Sequence, residues 1–273
     1  MKNTYLKMSF LVYYIALAVG LVCRTLLKLR YMDSSTGFYT ASTVWEIVLN
    51  VVLIAAVLLF FFTNRLRKAN NDYPVWQRSP VVDIAGSLSA IAVLFYLASK
   101  YIPVLLSKEY VPVSVRVGAI LTTVFGIVAA LSLLLQGLPL KNTAPVGYFA
   151  VFACAWPAVM LVTSFNTYTN LTTITDNLFT VLFMLFAALF LLGQARTVNS
   201  IGRQSGRSYV IPAGLCMSLL GFVLVIPNYI AMLVQGGGMP ALMLGYIESA
   251  YILLLSLYAP LFVGNLARSI KAV

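Results

Sequence analysis

Eight stretches of this chain run for about twenty residues each with few charges among them, and nothing else in the sequence confines the fold as tightly. They cover residues 8–29, 44–62, 81–105, 114–136, 146–164, 177–194, 209–234 and 241–263. An α-helix rises about 1.5 Å per residue, so roughly 20 apolar residues match the hydrocarbon thickness of a bilayer. Backbone amides have no water to bond to inside lipid, and a helix satisfies them within its own segment. The expected fold is all-α: a polytopic integral membrane protein of eight transmembrane helices. Composition agrees, because charged residues make up 9% of the chain against about 25% in a soluble domain. Its first expected partner is therefore the lipid bilayer.

The sign of the charge orients the helices. Lysine and arginine outnumber the acids 18 to 7, a balance that in a soluble protein would point to nucleic acid. No basic patch interleaved with aromatics occurs here, so nucleic acid is not an expected partner. On one side of the membrane fall Lys2, Lys7, Arg65, Arg67, Lys68, Arg78, Lys141, Arg196, Arg203, Arg207, Arg268 and Lys271; on the other, Arg24, Lys28, Arg30, Lys100, Lys108 and Arg116. Basic residues favour cytoplasmic loops, which places both termini in the cytoplasm. The short loops fit a cell membrane protein, and the bacterial inner membrane best. Ala16-Leu17-Ala18 resembles a signal-peptidase site, but apolar residues continue to Leu29, beyond the 7–15 of a signal core.

Much of the sequence comes round twice. Arg67, Asn70, Arg78 and Ser79 are echoed by Arg196, Asn199, Arg207 and Ser208, each 129 residues later (207 − 78). Tyr101, Ile102 and Pro112 return as Tyr229, Ile230 and Pro240, each 128 later (240 − 112). The expected organisation is two four-helix halves, residues 1–136 and 137–273, which eight spans would orient alike as a parallel repeat.

Local signals mark where helices begin. Thr43-x-x-Glu46 reads as a capping box, with Thr173-x-x-Asp176 as a shorter version. Ser79-Pro80 sets an N-cap before a proline at the first helical position. Tyr73-Pro74-Val75-Trp76 reads as an interfacial anchor. Pro157, Pro212, Pro227 and Pro260 fall within spans or near their ends and can kink them.

The absences narrow the chemistry. The chain has no histidine, which removes imidazole bases and histidine metal sites. It has no G-x-x-x-x-G-K-[ST] for nucleotide phosphates. Cys23, Cys154 and Cys216 lie singly in apolar runs, the usual place of small buried hydrophobes. No paired-aspartate motif occurs. An enzyme is not expected, nor is a cofactor or a metal site.

An ionisable group inside a span is costly and points to function unless something local explains it. First-turn position explains Glu46, Asp83 and Asp176 through the helix dipole. Arg24 and Lys28, near the end of the first span, can snorkel to headgroups. Glu248, eight residues past Pro240, and Lys100, short of the end of its span, are harder to dismiss. Asn228 stands at the repeat position of Lys100. Glu248, Lys100 and Asn228, with Tyr246 and Tyr251, form the candidate substrate-binding set. The alternative for these residues is a structural tie between helices with tyrosines in the interfacial belt. The functional expectation is a transporter or permease subunit for a small polar or amphipathic solute. The other reading, which the absence of any coupling motif suggests, is a non-catalytic membrane sensor or a partner subunit of a larger complex. The basic loops 63–79 and 194–208 could dock a membrane or cytoplasmic partner protein or anionic lipid, and their commoner role is to set topology.

Overall fold

The computed structural model describes residues 4–31, 44–69, 76–137, 144–167, 175–199, 208–234 and 245–269. Among them the chain forms nine helices: α1 (Thr4–Arg30), α2 (Val44–Ala69), α3 (Pro80–Leu106), α4 (Val113–Gly137), α5 (Ala144–Ala153), α6 (Ala155–Thr167), α7 (Thr175–Val198), α8 (Val210–Val234) and α9 (Tyr246–Ser269). Seven are long and apolar enough to cross a membrane. The eighth crossing is the α5–α6 pair, whose helix breaks at Cys154. Pro157 explains the break: it has no N–H for the Ala153 carbonyl, and its ring crowds that oxygen. The fold is that of a polytopic membrane protein of eight helices.

Cross-helix contacts show the alternation directly. At one face, Ser9 near the start of α1 meets Thr63 near the end of α2, 2.8 Å apart. At that face too, Arg67 of α2 reaches the carbonyl of Ser208 just before α8, at 3.1 Å. Asn265 near the end of α9 bonds the Gln77 carbonyl ahead of α3, at 2.5 Å. At the opposite face, the end of α1 meets the start of α7, and the end of α3 meets the start of α9. The first face carries the start of α1 and the end of α9 and is called the terminal face below. The other is the distal face.

The most buried helix is α8. It packs against α1, α2, α7 and α9, and its residues are apolar on every side, as suits a central helix. Two glycines let its neighbours approach. A Cβ at Gly214 would lie 2.9 Å from the Phe190 ring and 3.0 Å from Val263, and one at Gly221 would lie 1.9 Å from Ser256 Oγ. Ser218, on the same helix, donates to the Ser256 carbonyl at 2.7 Å, so Tyr13 must donate to Ser218, also at 2.7 Å. That chain ties α1, α8 and α9 without leaving a hydroxyl unbonded.

Packing does not repeat between residues 1–136 and 137–273: α7 lies along α8, whereas α2 and α3, their counterparts in the sequence echo, are not close neighbours. The α1–α2 hairpin lies on α8, while α3 has α4 and α9 as its main neighbours, and α4 packs against α5 and α6. A ring thus runs α3, α4, α5–α6, α7, α8 and α9, with α1 and α2 attached outside at α8. The outer surfaces of α2, α3 and α4 expose large apolar residues such as Ile54, Leu58, Ile84, Phe95 and Val124, as a lipid-facing surface requires.

Several local expectations need correction. Ser79 occupies the N-cap position of α3 but makes no side-chain capping bond. Instead Arg78 Nε holds Asp83 Oδ2 at 2.8 Å. Trp76, partly buried just ahead of α3, stacks on Phe262 with ring centroids 4.8 Å apart; Tyr73, Pro74 and Val75 lie outside the described residues. Pro212 sits in the first turn of α8, and α8 and α9 continue through Pro227 and Pro260. Thr43 and Thr173 lie outside the described residues.

Candidate functional site

The distal ends of α3 and α9 are joined by charge. Lys100 Nζ lies 3.1 Å from Glu248 Oε2, and its ammonium stands over the Tyr96 ring, 5.4 Å from the centroid. Glu248 is in the first turn of α9, which begins at Tyr246. The sequence reading had placed it deeper, counting from Pro240. The helix N-terminus therefore favours its charge as well, and the carboxylate is nine-tenths buried. Lys100 is six residues from the end of α3, so its long side chain reaches outward to the acid, with its own side chain 47% exposed. This is snorkelling with a carboxylate at the end of the reach.

Beneath the ion pair, aromatic rings converge from three helices. Tyr96 of α3 and Tyr251 of α9 pack with centroids 4.4 Å apart, and Trp156 of α6 meets Tyr251 edge-on at 5.8 Å. All three are buried. The tyrosine Tyr101 meets Tyr96 edge-on, with the two hydroxyls 3.4 Å apart. Gly126 of α4 makes room for the indole: a Cβ there would lie 3.1 Å from Trp156 Cδ1 and 2.6 Å from Leu97. Trp156 Nε1 has no hydrogen-bond partner, nor does the buried Thr122 hydroxyl one turn away on α4.

Of the five residues singled out by sequence, the structure brings Lys100, Glu248 and Tyr251 together. Tyr246 is mostly exposed and its hydroxyl faces Met232 Sδ at 3.6 Å, so it lies at the rim. Asn228 is buried, and neither its Nδ2 nor its Oδ1 has a partner, Glu248 included. Register locates it. The Gly221 position touches Phe183 of α7 and Ser256 of α9. Seven residues on, about two turns, lies Asn228; seven residues back along antiparallel α7 and α9 lie Asp176 and Ser249. Asn228 thus stands between the first turns of α7 and α9.

Sequence reasoning missed a second charged centre at the same face. Asp176 takes the Arg24 guanidinium on Oδ1 and Lys28 Nζ on Oδ2, the latter at 2.7 Å. Arg24 and Lys28 do not snorkel to headgroups: they are almost completely buried. Arg24 also lies over the Phe179 ring, 4.5 Å from its centroid. Asp176 is accordingly not a mere first-turn acid but the tie between α1 and α7. The i, i+4 spacing of Arg24 and Lys28, which sets both on one helical face, was the available signal.

At the terminal face a neutral chain runs between α4, α7 and α9. Gln194 Nε2 donates to Gln136 Oε1 at 2.6 Å and to the Tyr258 hydroxyl at 2.5 Å. Arg67, also buried, bonds Asn64 Oδ1 at 2.7 Å. Among the described residues no three His, Cys, Asp or Glu side chains gather as metal ligands. The chemistry on offer at the distal site is recognition: a carboxylate, π faces and unbonded donors.

Comparison with family models, with characterised proteins and with solved structures gives no match to this chain.

Proposed function

We propose that this membrane protein is a transporter or permease subunit for a small polar or amphipathic solute, bound between α3, α6 and α9 at and beneath the distal Lys100–Glu248 pair. One observation carries the reading: buried polar atoms without hydrogen-bond partners, Trp156 Nε1, Thr122 Oγ1 and both amide atoms of Asn228, stand within the bundle. Each costs about 1–3 kcal/mol when left unbonded, and a solute with matching groups would relieve that cost. The echo of Arg67, Asn70, Arg78 and Ser79 in Arg196, Asn199, Arg207 and Ser208 is a second support, because duplicated sequence is common among transporters. With both termini cytoplasmic, the site opens to the outside.

The experiment is solute-dependent stabilisation of the purified protein, followed by uptake into liposomes. A solute that raises the melting temperature saturably, enters liposomes, and loses both effects in Glu248→Gln while that variant stays folded supports the reading. Stabilisation equal in Glu248→Gln sinks the site.

A second reading, a non-catalytic membrane sensor or partner subunit, draws on a different observation. Glu248 lines none of the clefts formed by Trp76, Gln136 and Tyr258, by Ser9, Asn64 and Arg67, or by α4 and α6. The last, about 590 Å³ and lined by Val117, Leu121, Phe125 and Val159, is largely apolar. Absence of stabilisation and of flux across a broad solute panel would favour this reading.

A further inference from the structure

The distal site holds a cation already, and that cation belongs to the protein. The Lys100 ammonium is 3.1 Å from the Glu248 carboxylate and 5.4 Å from the centre of the Tyr96 ring. Tyr251 and Trp156 extend the aromatic wall inward, with Tyr251 4.4 Å from Tyr96 and 5.8 Å from Trp156 between centroids. An acid and the face of an aromatic ring sharing one cation, with further aromatic rings packed behind, is the recognition chemistry of organic ammonium ions, whose charge the ring face stabilises. We infer that the site accepts an organic ammonium ion, and that Lys100 is a resident stand-in which the incoming cation displaces. This rests on the transport reading and names its substrate class.

Three features make displacement physically reasonable. The Lys100 side chain is 47% exposed while that of Glu248 is 10%, so the lysine can swing out of the bundle and snorkel toward the distal headgroups, and the acid cannot. Lysine carries its charge on four flexible carbons, so withdrawal needs no movement of α3. The tether also keeps the buried carboxylate paired between substrates, avoiding the penalty of a lone charge. The Arg24–Lys28–Asp176 centre offers no such exchange, because all its members are buried and Asp176 is engaged through both oxygens.

Competition by a tethered cation predicts a specific inversion. Removing the lysine should strengthen binding of a free cation, because the competent state no longer competes with a closed one. The test uses the full chain with Trp45 and Trp76 changed to Phe, so that Trp156 alone fluoresces, and titrates tetramethylammonium against neopentyl alcohol, a neutral molecule of similar shape. Tetramethylammonium should change Trp156 emission saturably and raise the melting temperature, and the alcohol should do neither. Lys100→Met should bind tetramethylammonium about tenfold more tightly, and Glu248→Gln should lose the response. Should Lys100→Met fail to fold, Lys100→Gln and the wild-type titration still decide the matter. Equal responses to the cation and the alcohol, or a cation response indifferent to Lys100 and Glu248, overturn the inference. If neutral or anionic solutes stabilise the protein through Glu248 while ammonium ions do not, the substrate class is wrong and the transport reading stands. If no solute of any class acts, both fail.

Discussion

Lys100 and Glu248 pair across 3.1 Å, and the pair is unequal: the acid is enclosed while the base is half exposed and can snorkel outward. Removing the two partners should therefore have different costs. Lys100→Met strands a buried carboxylate and should destabilise by about 2 kcal/mol. Glu248→Gln frees a lysine that simply turns outward, and should cost less than about 1 kcal/mol. Thermal unfolding in one detergent measures both. Equal losses would mean that the lysine is held as tightly as the acid.

The second charged centre should behave differently, because nothing in it can escape. Asp176→Asn leaves the buried Arg24 and Lys28 facing an amide, and should destabilise by about 3–5 kcal/mol, the range for breaking a buried pair. Lys28→Met should cost less, since Arg24 retains the carboxylate. Raising the salt concentration should hardly alter either loss, because buried pairs are poorly screened. A salt-sensitive or negligible effect in Asp176→Asn would show that the centre is solvated.

Close packing around α8 makes a steric prediction. A methyl at Gly221 would lie 1.9 Å from Ser256 Oγ and 2.9 Å from Phe183. Gly221→Ala should destabilise by about 1–3 kcal/mol through overpacking, and Ser256→Ala in the same chain should recover part of that. Gly245→Ala meets open space and should not show this overpacking loss. A neutral Gly221→Ala would mean that α8 and α9 stand further apart.

Topology is checked by reporter fusion. Reporters placed after Lys141, Arg203 and Val273 should all read cytoplasmic, and one after Glu109 should read external. An external signal at any of the first three refutes the assigned orientation.

What could be read without tertiary structure followed the range of the forces involved. Hydropathy is a property of each segment, so the spans were visible; Pro157 was one of four prolines expected to be able to kink a span, and only the structure shows that its helix is the one that breaks. The pairing of Lys100 with Glu248 could be anticipated because both stand near the same ends of their helices. For Arg24 and Lys28 sequence reasoning chose headgroups, since snorkelling and burial differ only in what the neighbouring helix presents, and here α7 presents Asp176. Trp76 shows the same limit: its local sequence reads as an interfacial anchor, and that it stacks on Phe262, 186 residues away (262 − 76), is recorded only in the tertiary structure.

The sequence by itself determined that this chain is an all-helical membrane protein of eight helices, because bilayer thickness and backbone hydrogen bonding act on one segment at a time. Only the tertiary structure decided that α8 is central, that the α1–α2 hairpin lies on it, and which charges are buried against which partners. Those outcomes depend on side chains more than a hundred residues apart, such as Arg24 and Asp176, whose meeting no local pattern records and whose burial is tolerable only because they meet.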